Sequence, residues 1–122
     1  MISKIHSTTI GVADQDKALD FYVNTLGWEK ALDNMIGAED RFLSVVPPGA
    51  QTQLVLAPLR WFGENYSKET GISFTTRDID ATYKTLSERG VTFEGPVQDM
   101  PWGQKATWFY DLDGNKFFIV EE

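Results

Sequence analysis

The chain repeats itself, and that repeat confines it to folds built from two like halves. Residues 7–27 read STTIGVADQDKALDFYVNTLG, and residues 71–90 read GISFTTRDIDATYKTLSERG. The shift that sets Asp14 on Asp78 also sets Asp16 on Asp80, and both stretches close on glycine, Gly27 and Gly90, with one residue of slip. Each copy opens on an alternating strand. Thr8, Ile10 and Val12 face one way and Ser7, Thr9 and Gly11 the other; in the second copy Ile72 and Phe74 oppose Gly71, Ser73 and Thr75. An aspartate then supplies an N-cap oxygen, and a second follows in the first turn, where the helix dipole favours it. Ala18, Phe21, Tyr22 and Leu26, then Ile79, Tyr83 and Leu86, recur at helical spacing. Gly27 and Gly90 suit the left-handed position that ends a helix.

Three strand-like stretches follow each helix, near 28–34, 41–47 and 51–57, and again near 91–97, 104–110 and 115–121. Pro47–Pro48–Gly49 punctuates the first set and Asp113–Gly114–Asn115 marks a tight turn in the second. The order predicts an α+β fold of two tandem βαβββ modules that form a cupped mixed sheet with helices on the outer face. The first module spans 1–58, a linker 59–70 and the second module 71–122, within one structural domain. The linker carries Trp61, Phe62 and Tyr66, too apolar for a free tether. It is expected to pack on the edge of its own sheet; a lid over the cup and a dimer contact are the alternatives.

Composition narrows the function classes. There is no cysteine, which removes disulfides, zinc–thiolate sites and thiol nucleophiles together. Acidic residues outnumber basic ones 18 to 11, a net charge of −7, and no basic patch offsets a field that repels nucleic acid. The same field mildly favours a cationic ligand. No apolar run approaches the roughly 18 residues a membrane helix needs, and Met1 to His6 lack the features of a signal peptide. The expectation is a cytoplasmic protein with no nucleic-acid or membrane partner.

Three segments, VADQDKALDFYVNTLGW at 12–28, DIDATYKTLSERGVTF at 78–93 and PWGQKATWFYDLDGNKFFIVE at 101–121, resemble the vicinal oxygen chelate superfamily. It includes glyoxalase I, the bleomycin- and fosfomycin-resistance proteins and the extradiol dioxygenases. The match spans nearly the whole chain in the expected order and departs at Leu112, where the family usually has proline. The resemblance implies paired βαβββ modules, a homodimer, and in the family's enzymes a divalent metal on four side chains, typically histidine and glutamate. Those four positions fall here on Ser7, Gln53, Gly71 and Phe118. Only Gln53 retains an atom that binds a metal, and weakly; divalent sites need several nitrogen or carboxylate ligands on one point. His6 is one residue off and points to the opposite face of its strand. The expectation is therefore no metal and no other cofactor.

Alternation sends Val120, Ala106, Trp108 and Tyr110 to the same face as Phe118, with Trp102 bordering it in the PWG turn. Ser7, Thr9, Gln53 and Ser73 add hydroxyl and amide groups. The predicted ligand-binding residues are thus Ser7, Thr9, Gln53, Ser73, Trp102, Trp108, Tyr110 and Phe118, an aromatic wall with a few neutral polar groups. The alternative is that these aromatics fill the cup as a second core. No catalytic residue is assigned: Ser7, Ser44 and Ser73 lack a base, and Glu39–Asp40 is read as a solvated turn. The function expected is metal-independent binding of a small, partly aromatic or cationic molecule, similar to the bleomycin-resistance branch and not enzymatic. The alternative is a divalent-metal-dependent lyase, isomerase or dioxygenase of the same superfamily.

Overall fold

Asp14 and Asp78 each fold the chain in the same way. The Asp14 carboxylate accepts from the Lys17 N–H at 3.1 Å, and that of Asp78 from the Ala81 N–H at 3.0 Å, satisfying helix-start donors that have no partner of their own. The helices they start, α1 (Gln15–Asp20) and α2 (Ile79–Glu88), each follow a strand, β1 (Ser7–Val12) and β5 (Glu69–Thr76). The structure, a computed structural model, describes all residues from Met1 to Glu122. The fold is α+β, with nine strands in two sheets and few helices. The chain divides into two units, Met1–Tyr66 and Ser67–Glu122.

In the first unit, β2 (Glu29–Ile36), β3 (Asp40–Val46) and β4 (Gln53–Pro58) complete a sheet ordered β1-β4-β3-β2. β1 runs parallel to β4 and the other pairs are antiparallel, so the sheet is mixed. Ile10, Val12, Leu43, Val45, Leu54 and Leu56 share the helix-covered face by alternation and are buried, as are Ala18 and Tyr22 of the helix. The first helix departs from the simple helical spacing. After Asp20 it widens into a π turn over Phe21–Thr25, with the Leu26 N–H donating to the Phe21 carbonyl. The Tyr22 ring is buried there against Phe21 and Trp28.

The second unit repeats the plan with β6 (Thr92–Phe93), β7 (Gln98–Asp99), β8 (Lys105–Tyr110) and β9 (Lys116–Glu121). β5 runs parallel to β9, and β8 lies between β9 and the short pair β6 and β7. The single strand expected near 91–97 is broken in two. Gly95 and Pro96 interrupt it, because proline has no N–H to give the ladder. The helix-covered face carries a chain of aromatic rings: Phe74 lies 5.1 Å from Phe117, Phe117 5.5 Å from Phe109, and Tyr83 of α2 4.5 Å from Phe93. This unit has an aromatic core of its own, independent of its other face.

The turn before β9 is built by one carboxylate. Asp111 accepts from the N–H groups of Asp113 and Asn115 and from the Asn115 side chain, at 2.8 to 2.9 Å. Leu112, where the resembled family has proline, stays exposed. No helix is long and apolar enough to cross a membrane.

Candidate ligand-binding site

Each unit leaves one sheet face without a helix, and alternation decides what stands on it. In the first unit β1 pairs with β4 so that Ser7 is opposite Gln53, Thr9 opposite Val55 and Gly11 opposite Ala57. These pairs share the helix-free face. Ser7 and Gln53 are half-buried and Thr9 exposed, as a polar, accessible face requires. His6 precedes the strand and is exposed; its carbonyl accepts from the Gln53 N–H.

The amide of Gln53 is oriented by its neighbours. β2 carries a bulge between Lys30 and Leu32, which takes the Leu32 N–H out of the ladder. That N–H donates to Ser44 Oγ at 3.2 Å, and the fully buried Ser44 hydroxyl donates to Gln53 Oε1 at 2.7 Å. With its oxygen committed, Gln53 presents the two Nε2 hydrogens, which meet no acceptor in the chain. Sequence reasoning set Ser44 aside as a serine without a base. Its role is visible only through the bulge.

The segment after β4 packs on the edge of its own sheet, as expected. It forms two 3₁₀ turns, Leu59–Trp61 and Gly63–Asn65, and lies against the edge strand β1 at Gly11. A Cβ on Gly11 would stand 2.7 Å from Leu59, 3.2 Å from Tyr66 and 3.3 Å from Phe62. Asp40 ties the segment down through Arg60 and the Trp61 indole N–H. The Glu39–Asp40 pair is therefore more than a solvated turn, because Asp40 opens β3 and holds these two side chains.

In the second unit β9 sets Phe118 opposite Ser73 on β5 and opposite Trp108 on β8, with Tyr110 opposite Lys116 and Ala106 opposite Val120. All of these stand on the helix-free face. The Trp108 and Phe118 rings are 4.9 Å apart and tilted, and Trp102 approaches Phe118 at 6.4 Å. Trp102 is 61% exposed, and Trp108, Tyr110 and Phe118 are only half-buried, while Phe109 and Phe117 on the opposite face are sealed. Trp102 is held by Gln104, which accepts from its indole N–H at 2.8 Å and donates to the Glu121 carbonyl.

Lys116 was not among the expected residues, although it shares the parity of Phe118. Its ammonium lies 5.6 Å from the Trp108 ring centre, 2.9 Å from Glu94 and 3.9 Å from Glu69. Hydrogen bonding to Glu94 raises its pKa and holds the charge on. The Tyr110 hydroxyl also reaches toward Glu94.

The four positions that hold a metal in the resembled enzymes do not fit one here. Gln53 has spent its oxygen on Ser44, and Phe118 has no donor atom. Gly71 sits in the bulge of β5 between Glu69 and Ser73 with φ +70°, a conformation in which a histidine would be strained. No three His, Cys, Asp or Glu side chains gather elsewhere.

The fold has known counterparts. The sequence pattern of the Glyoxalase/Bleomycin resistance protein/Dioxygenase superfamily matches residues 4–119. The chain is 36% identical to the uncharacterized protein YetH of Bacillus subtilis (strain 168), over 99% of this chain and 100% of that one. Its structure superposes with a TM-score of 0.95 on a member of the same superfamily from Sphaerobacter thermophilus DSM 20745, at 60% identity over 99% and 98% of the two chains. TnmS3, an antibiotic binding protein from Streptomyces sp. CB03234, matches at a TM-score of 0.85 and 38% identity, covering 98% of this chain and 96% of that one. With the repeat, the two mixed sheets and a match over nearly its full length, the chain belongs to the Glyoxalase/Bleomycin resistance protein/Dioxygenase superfamily.

Proposed function

We propose that this protein binds a small, partly aromatic molecule without a metal and acts by sequestration rather than by chemistry. The observation that carries this reading is the Trp108–Phe118 pair, in tilted contact at 4.9 Å yet half-exposed, in a unit whose core is already filled by Phe74, Phe93, Phe109 and Phe117. Exposed aromatics beside a complete core are surplus to folding and suited to a flat ligand. Phe118 occupies a metal-ligand position of the resembled enzymes, which supports binding over metal chemistry. Similarity to an antibiotic binding protein supports the binding of a small molecule.

On this reading Trp102, Trp108, Tyr110, Phe118 and Ser73 line the binding face of the second unit, and Ser7, Thr9 and Gln53 line that of the first. The working form is a cytoplasmic homodimer.

The test is a thermal-shift screen against aromatic antibiotics and metabolites, with and without a chelator. A ligand at a hundredfold excess over its Kd stabilises by about 2.7 kcal/mol, several degrees for a chain of this size. The expected result is a shift that EDTA leaves unchanged and that Trp108→Ala abolishes. A shift that vanishes with EDTA and returns with one divalent metal would reject the reading.

A further inference from the structure

Three features of the second unit bear on which aromatic molecules its helix-free face accepts. The first is the cation already on it. Lys116 lies over the Trp108 ring at 5.6 Å, and its side chain is only 18% exposed. The attraction of a positive charge for an indole face is thus already satisfied from within the chain.

The second is the state of the nearby acceptors. Glu94 and Glu69 both turn toward Lys116, at 2.9 and 3.9 Å. Their side chains are 45% and 78% exposed, so solvent screens them far more than it screens the ammonium they neutralise.

The third is the state of the donors. The indole N–H groups of Trp61 and Trp102 are spent on Asp40 and Gln104, but that of Trp108 meets no acceptor in the chain. A free indole N–H can only donate. The first unit carries the same bias independently, since Ser44 holds the Gln53 oxygen and leaves two amide hydrogens to offer.

We propose that the free Trp108 N–H makes this face selective for neutral or anionic aromatic molecules whose polar atoms accept hydrogen bonds, and that Lys116, by occupying the Trp108 ring face, denies that face to an aromatic cation. This deepens the binding reading and rests on it. It also bears on the two ligand types that the net charge of −7 leaves open, because the cation that an indole face attracts is already supplied by Lys116.

The experiment uses three naphthalenes of like size: 2-naphthoate, 2-acetylnaphthalene and 2-naphthylmethylammonium, titrated calorimetrically at pH 7. For the native chain the first two bind at least about tenfold more tightly than the ammonium. In Lys116→Met, which keeps the aliphatic stem, the gap closes to within about threefold, by gain for the ammonium and loss for naphthoate. Lys116→Gln gives the same result should the methionine variant fold poorly, with circular dichroism reporting the fold. Trp108→Phe weakens acetylnaphthalene by a larger factor than it weakens unsubstituted naphthalene, which loses ring contact but no hydrogen bond.

An ammonium bound as tightly as the others by the native chain overturns the inference and leaves the binding reading standing. So does an unchanged order of affinities in folded Lys116 variants. Failure of all three probes and of naphthalene overturns both.

Discussion

Gly11 carries more of the first unit than its size suggests. Its backbone is not in the left-handed region, so conformational freedom does not explain it. Space does: a Cβ would stand 2.7 Å from the Leu59 side chain and 3.2 Å from the Tyr66 ring. The glycine lets the 59–66 segment lie directly on β1, and Gly11→Val is expected to lift that segment or strain it. The cost expected from overpacking is about 1–3 kcal/mol, read as a lower urea midpoint with an unchanged slope. Gly95→Val, at a glycine with nothing within 4 Å, serves as the comparison and is expected to cost less. A second residue-scale prediction concerns Ser44. Ser44→Ala strands the Leu32 N–H beside the bulge and is expected to destabilise by about 1–3 kcal/mol. It also frees the Gln53 amide to turn, so any preference for acceptor-bearing ligands through Gln53 should fade while the Trp108 preference persists.

At the scale of elements, Arg41 ties β2, β3 and α1 together. Its guanidinium grips Asp33 of β2 with two hydrogen bonds, at 2.7 and 2.9 Å, and Asp16 of α1 with a third at 2.6 Å. Gln15 adds bonds from the helix to the Arg41 and Leu56 carbonyls. The hydrogen bonds from Arg41 hold the Asp33 pKa down at about 2 from its usual 3.8. A depressed carboxylate stabilises the folded state fully above the unfolded value and loses that contribution as pH falls through the folded one. Stability should therefore drop by about 1 kcal/mol, after solvent screening, between roughly pH 4 and pH 2. Asp33→Asn should flatten that part of the pH profile, and Arg41→Lys should keep the charge but lose the paired grip. Little of this network was legible in the sequence, because residues so far apart in the chain meet only through the register of the strands. The helix caps were legible, since Asp14 and Asp78 act within one turn of themselves. The π turn after Asp20 was not, because apolar spacing reports a buried stripe and says nothing about the width of a turn. The break of the strand near 91–97 could have been read from Gly95–Pro96, had the missing proline N–H been weighed above the apolar pattern.

For the whole chain, the repeat made the fold legible because both units obey the same alternation, and period-two patterning is the part of a strand that sequence reports directly. The candidate site was legible to the extent that parity alone sends Trp108, Tyr110 and Phe118 to one face. Lys116 shares that parity, but a lysine's charge points to solvent in a sequence, whereas here its ammonium rests over an indole. What alternation cannot report is how a chain treats its sheet edges, and β2 poses that question. All eight of its residues are exposed, and among them Leu32, Met35 and Ile36 present apolar surface on an edge strand. An exposed apolar edge of this length is a hazard unless another chain covers it. The occupant expected is a second copy, in keeping with the homodimer we propose. Sedimentation should give twice the 13.8 kDa chain mass at micromolar concentration, and Met35→Lys with Ile36→Lys should yield a folded monomer. Because the paired charges Lys30 and Asp33 already sit on this strand, two further lysines alter its association more than its pairing with β3. A native chain that sediments as a monomer across that range would leave β2 uncovered in solution and remove it as the dimer contact.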